Sequence, residues 1–193
     1  MKKKTATGKL FAILRSSPPW AWPWRLFGVL TRPVPPGLYL ANFFFQRILR
    51  INAQCKWQVH FTSRVLGEIE IDEGVAKSFA LSGGCYIQGG NGIKIGRDTL
   101  FAPGVRIVSA NHDEEDMTRW APGPPIEIGE HCWIGANACI LPGVTLGDRC
   151  VVGAGSVVTK SFPDGSVVGG VPARLLSSRE KETAGGEAVG AAD

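Results

Sequence analysis

The sequence predicts an all-β solenoid, a parallel β-helix of six-residue repeats, carried behind a basic, aromatic and partly helical N-terminal segment. Three observations predict it: an apolar residue at every sixth position, a glycine recurring in the next place, and an abrupt change of charge near residue 67. Stepping by six from Ile95 gives Ile95, Phe101 and Ile107; stepping from Ile128 gives Ile128, Ile134, Ile140, Leu146, Val152 and Val158. In a chain that is 44% hydrophobic, nine apolar residues in a preset frame arise by chance on the order of once in a thousand or less. Glycine follows the apolar residue at 96, 129, 135, 147 and 153. Four places after the apolar residue stand Thr99, Val105, Cys132, Ala138, Val144, Cys150 and Ser156, all small or β-branched. An amphipathic helix turns about 100° per residue, so a six-residue step points successive repeats in opposing directions. A short strand per hexad, followed by a corner where glycine relieves the backbone, accounts for both features. Three hexads close one triangular coil of about 18 residues, and the stacked inward side chains form the core.

The frame extends backwards through Ile69, Val75, Leu81, Ile87 and Ile93, in the phase of the small residues, so residues 67–94 read as early coils. It breaks between Ile107 and Ile128, whose spacing is not a multiple of six. A stretch from about His112 to Pro125 therefore leaves the coil as a loop, bearing Asp113, Glu114, Glu115 and Asp116 and ending in Pro-Gly-Pro-Pro. Loops that leave a rigid scaffold are where function concentrates. The expected organisation is an N-terminal segment over 1–60 with a helix at about 37–51, a β-helix over 61–176, and a disordered Gly/Ala/Glu tail over 177–193.

The 193 residues suit one domain with an appendage, and the high Gly (25) and Pro (13) counts ask for many turns. No apolar run is long enough for a spanning helix, and Leu10 to Leu14 is too short for a secretory signal. Five cysteines without a CxxC pair argue against a disulfide framework or zinc knuckle, so the expectation is a reduced cytoplasmic protein. The formal charge of +4 hides a split: residues 1–67 hold 11 Lys or Arg and no acid, the first being Glu68. Trp20, Trp22, Trp24, Phe27, Phe43, Phe44 and Phe45 lie in the same stretch. Trp and Phe interleaved with Arg suit an anionic membrane surface, which gives a peripheral contact through residues 1–50 at the inner face of the membrane. The alternative is a helix packed on the main domain through Leu38, Leu40, Phe44, Phe45, Ile48 and Leu49. No nucleic-acid fold signature accompanies the charge, so nucleic acid is not an expected partner.

The chain resembles the hexapeptide-repeat acyltransferases, whose fold is a left-handed β-helix, and within them the acetyltransferases of sugar and polysaccharide hydroxyls. The likeness rests on Ser109-Ala110-Asn111-His112-Asp113, on Pro125 to Ala136, on Ile140 to Gly147, on Val152 to Lys160 and on Gly170-Val171-Pro172-Ala173-Arg174. It spans residues 85–176. The resemblance implies acetyl-CoA as donor, no metal, a homotrimer with the site between neighbouring prisms, and a sugar or glycan acceptor. It places the catalytic base at His112, an oxyanion donor at Gly135–Ala136, and coenzyme contacts at Ala136, Ala154, Thr159, Lys160 and Arg174, with Trp133 lining the pantetheine or acceptor groove. The chemistry needs such a base, because a hydroxyl is a poor nucleophile until its proton is accepted. One type of family member carries an Asp near where this chain reads Gly89-Gly90-Asn91-Gly92, so the acceptor contacts differ.

The remaining features have plainer readings. His60 and His131 read as structural or solvent-facing, and the acids at 113–116 as a solvated loop face that can include a partner for His112. Cys132 and Cys150, one coil apart, read as stacked core side chains, and Cys139 lacks a base to make it a nucleophile. The glycines at 89–92 lack a Walker lysine and read as tight corners. Rival functions are acetylation of an amino sugar, amino acid or antibiotic, a non-catalytic β-helical scaffold, and a zinc enzyme on this fold, which needs three clustered imidazoles.

Overall fold

The computed structural model describes residues 34–179. The chain forms a left-handed parallel β-helix with three flat faces, standing on a small helical cap. The cap begins with α1 (Pro36–Phe43), which runs on as a π-helical turn over Phe44–Ile48. Pro36 sits in its first turn, where a missing N–H costs nothing. Arg50 and Asn52, both at positive φ, then turn the chain away. The tryptophans at 20, 22 and 24 and Phe27 lie outside the described residues, as do residues 180–193 of the expected tail.

The prism starts with β1 (Arg64–Ile71), α2 (Ala76–Leu81) and β2 (Tyr86–Ile95). It continues through β3 (Leu100–Phe101), β4 (Arg106–Val108), β5 (Ile126–Ile128), β6 (Trp133–Ile134), β7 (Cys139–Ile140), β8 (Thr145–Leu146), β9 (Val151–Val152) and β10 (Val157–Val158). An antiparallel pair, β11 (Ser166–Gly170) and β12 (Ala173–Ser178), ends it. β1 and β2 are long because each bends round a corner and serves two faces. The first face stacks β1, β2, β4, β7 and β10 in parallel. The second stacks the far ends of β1 and β2 with β5 and β8. The third stacks β3, β6, β9 and β11.

The six-residue frame coincides with the core. All nine apolar positions from Ile95 to Val158, and all seven positions four places after them, are buried. Register agrees: Ile107 pairs with Ile140, and Ile134 with Val152. The glycines after the apolar residues act differently from the expectation. They do not have positive φ; instead the backbone of the next coil crowds them. A Cβ on Gly135 would lie 2.6 Å from the Ala154 nitrogen, and one on Gly129 2.7 Å from the Asp148 nitrogen. Close coil-to-coil approach demands glycine there. The left-handed corner residue comes two places later, and Asp98, His131 and Arg149 supply it in one column of corners.

The early coils depart from the pure repeat. The first coil's third side is the helix α2 rather than a strand, so Ile69 and Leu81 are only half-buried. Phe79 of α2 meets Phe101 edge-on at 4.9 Å, and Ser78 Oγ accepts from the Phe101 N–H at 3.2 Å. Within the cap the expected packing holds only for Leu38 and Phe45, which are half-buried, the Phe45 ring centroid 5.1 Å from that of Phe61. Leu40, Phe44, Ile48 and Leu49 are exposed, while Asn42 and Gln46 are buried against the body.

Candidate functional site

The chain leaves the prism at the end of β4, at the corner between the first and second faces. Ser109, fully buried, fixes this exit: its N–H donates to the Gln88 carbonyl at 2.8 Å, and its Oγ accepts from the Asn91 N–H at 3.0 Å. Gln88 Oε1 accepts from the Ala110 N–H at 3.1 Å. The Asn91 side chain then clamps both stems of the loop, donating to the Ser109 carbonyl at 3.1 Å and the Ala121 carbonyl at 3.0 Å. Trp120 lies across Gly90, where any side chain would strike its ring. The Gly89-Gly90-Asn91-Gly92 corner is therefore the seat of the loop. Asn91 escaped the sequence reading as a site residue; its only signal was a polar amide among glycines in an otherwise apolar frame.

His112 stands at the first step of this loop, paired across it with Trp120 and exposed. The neighbouring backbone is held by Asp113 N–H to the Arg119 carbonyl at 3.0 Å and Ala121 N–H to the Asn111 carbonyl at 2.9 Å. Among the described residues no hydrogen bond or ion pair engages its imidazole, although the backbone beneath it is pinned on both sides. The loop acids face elsewhere. Asp113 Oδ1 caps the N–H groups of Glu115 and Asp116. Asp116 takes the Thr118 N–H and hydroxyl, which hold its carboxyl below the usual carboxylate range, and pairs with Arg119 at 3.0 Å. These acids shape the loop.

The other candidate positions divide between the corners of the first face and the third-face sheet. Ala136 and Ala154 stack at the corner that leads into it, joined by the Gly155 N–H donating to the Ala136 carbonyl at 2.8 Å. Gly135 N–H is committed to the Val152 carbonyl at 2.8 Å. That leaves Ala136 as the member of the pair able to offer its N–H to an oxyanion. Thr159 and Lys160 follow β10 at the corner leading out of the face, two coils from His112, and Lys160 Nζ lies 5.6 Å from the Phe162 ring centroid. Trp133 projects from the third face, 59% exposed, in register with Leu100 and Val151. Arg174 is exposed on β12 beside Gly169. Neither Lys160 nor Arg174 joins an ion pair among the described residues, so both cations are available to anions. Within the described chain, then, Ala136 and Ala154 come together and Trp133 and Arg174 share the third-face sheet, whereas His112 stands where the chain leaves the corner between the first and second faces.

The plainer residues keep plain roles. His60 Nδ1 lies 2.8 Å from the Thr62 hydroxyl, and burial lowers its pKa. His131 is a corner residue. Cys132 and Cys150 are buried and point their thiols at the carbonyls of Gly147 and Pro163. Burial pushes the Cys139 thiol up, away from a nucleophilic thiolate. Among the described residues no group of three or more His, Cys, Asp or Glu is placed to hold a metal ion.

Residues 125–160 match the family model for the hexapeptide repeat of succinyl-transferase. The putative lipopolysaccharide biosynthesis O-acetyl transferase WbbJ of Escherichia coli (strain K12) is 38% identical over 104 residues, 47% of this chain and 53% of WbbJ. The galactoside O-acetyltransferase of the same organism is 41% identical over 87 residues, 44% of this chain and 43% of the enzyme. The chain thus spans about half the length of the curated relatives it matches. Among solved structures, AntD, an N-acyltransferase from Bacillus cereus in complex with dTDP and 3-hydroxybutyryl-CoA, superposes with a TM-score of 0.54 at 22% identity, covering 63% of this chain and 69% of AntD. That likeness is one of fold.

Proposed function

We propose that the chain is a hexapeptide-repeat acyltransferase and that it transfers an acetyl group from acetyl-CoA to a hydroxyl of a sugar or polysaccharide precursor. The observation that carries the mechanism is His112: an exposed imidazole, unpartnered within the described chain, on a backbone pinned by Asn91 and Ser109. An imidazole nitrogen accepts the proton of the acceptor hydroxyl as its oxygen attacks the thioester carbonyl. The tetrahedral oxyanion takes the Ala136 N–H. Collapse breaks the C–S bond, and the imidazolium returns the proton to the departing thiolate, giving CoA and the ester without an acyl-enzyme. Lys160 and Arg174 meet the phosphates of the coenzyme, Ala154 and Thr159 line its path, and Trp133 covers the pantetheine arm or the acceptor.

The separation of His112, at the corner between the first and second faces, from Trp133 and Arg174, on the third-face sheet, favours a homotrimer, in which a neighbouring copy brings its Trp133 and corner residues to the His112 edge. The acetyltransferase names of the relatives support a role in glycan biosynthesis, and the basic N-terminal segment supports peripheral contact with an anionic membrane.

The test is thiol release from acetyl-CoA over a panel of sugar and glycan acceptors, wild type beside His112→Ala. The expected result is turnover with one acceptor class and a loss of about 10²–10⁴-fold in the variant. Equal rates would remove His112 from the mechanism. Absence of both turnover and CoA binding would overturn the transferase reading.

A further inference from the structure

The helix that opens the cap is built inside out. Positions 40, 43, 44, 47 and 48 follow the i, i+3, i+4, i+7 spacing of one helical face. Four of them are large and apolar, and all four are turned to solvent: Leu40 is 45% exposed, Phe43 47%, Phe44 49% and Ile48 60%. Arg47 completes the row. The opposite face is polar and buried. Asn42 donates to the Ala80 carbonyl at 3.0 Å and accepts from the Phe61 N–H at 3.0 Å. Gln46 donates to the carbonyls of Asn52, Cys55 and Trp57 and accepts from the Val59 N–H. A surface helix ordinarily does the reverse, burying its apolar stripe and hydrating its polar side. Two buried amides and the half-buried Phe45 hold this one to the body, and its apolar stripe stays about half exposed. Contiguous exposed aromatic and aliphatic side chains mark an interaction surface, whereas scattered single ones do not.

We infer that this stripe is the docking face for an anionic lipid bilayer. The inference rests on the peripheral membrane contact proposed above and names the side chains that make it. Charge selects the occupant. Arg47, Arg50, Lys56 and Arg64 are all exposed, and the first 67 residues contain no acid. A second copy seated on this face would set these cations against their own counterparts. Residues 1–33 add seven further bases and no acid, so folding them over the stripe brings like charge to like. A bilayer answers both halves of the surface: phosphate headgroups meet the guanidinium and ammonium groups, and the acyl boundary takes Leu40, Phe43, Phe44 and Ile48.

The experiment is flotation of the full chain with phosphatidylcholine vesicles, plain or containing about 30% phosphatidylglycerol. It compares the wild type, a Phe43→Ser/Ile48→Ser double variant, and Leu176→Ser as a control at an exposed apolar residue on β12. The substituted side chains are solvent-facing, so melting curves should be unchanged. The expected result is salt-sensitive binding of the wild type and the control to anionic vesicles, with partitioning of the double variant lower by about tenfold or more. Equal flotation of the double variant would overturn the assignment to this face while leaving membrane contact through residues 1–33 intact. A wild type that ignores anionic vesicles would overturn both. Unchanged flotation together with a smaller assembly by light scattering would make the stripe an interface between copies instead. Acetyl transfer to a soluble acceptor, measured on the same preparations, is read independently of these outcomes.

Discussion

The upper prism and the basal cap share one apolar core, but the cap adds a set of buried side-chain amides that the upper prism lacks. From Ile126 to Val158 the interior consists of aliphatic and small side chains stacked in register, the backbone groups are satisfied by the next coil, and the buried Ser156 hydroxyl accepts from the Gly170 N–H at 3.2 Å. In the cap, from Pro36 to Ser63, buried amides add to the apolar contacts of Cys55, Trp57 and Val59 with the core: Asn42, Gln46 and Asn52 are buried and reach backbone groups up to 38 positions away. The difference teaches that burial and hydrophobicity can part company where a helix closes the end of a solenoid. The end of a β-helix presents unpaired N–H and C=O groups, and side-chain amides satisfy them where aliphatic groups cannot.

Three measurements sharpen or break that contrast. The largest effect is expected for Ile140→Ala, which removes a fully buried side chain from between Ile107 and Val158. It should cost about 3–4 kcal/mol in denaturant unfolding; a loss below about 1 kcal/mol would mean the coils re-close around the gap. Next comes Gln46→Leu, similar in size but stripping partners from three carbonyls and one N–H. It should destabilise by about 2–3 kcal/mol, because the orphaned groups stay out of water. A neutral or stabilised variant would show that the cap is held by apolar contacts after all.

The smallest effect is a pH dependence. Burial raises the Cys55 thiol from 9.0 to about 11, partly offset by Arg47. The folded state thus prefers the neutral thiol. Its contribution is fully present below pH 9 and is lost as pH rises through about 11, because the unfolded chain ionises first. Stability should fall by about 1–2 kcal/mol across that window and fall less in Cys55→Ala. The same slope in both proteins would remove Cys55 from the explanation. The buried Cys85 and the half-buried Cys139 are shifted in the same direction and supply the residual slope.

Much of the prism was legible because its rule is one-dimensional: each hexad meets only the hexads above and below it, so a period in sequence becomes a column in space. Ile134 is apolar for the reason that Val152 is. The early coils were legible only in part, since Val75 and Ile87 keep the frame while α2 replaces the strand that Leu81 implied. Of the candidate site, the position of His112 at a break in the frame could be read directly. The clamp by Asn91 could not be, since it joins residues 18 and 30 positions apart through a loop outside the repeat.

The sequence by itself determined the six-residue core, the place where the chain leaves it and the one-sided charge of the first 67 residues. These are properties of spacing and composition, and no distant contact alters them. Only the tertiary structure decided which side of the basal helix faces inward. Its polar and apolar stripes were both visible in sequence, but the choice depended on the open hydrogen-bonding groups the cap had to satisfy. It decided likewise that the glycines serve coil-to-coil contact, because the crowding comes from the neighbouring coil, 19 residues on for Gly135 and Ala154.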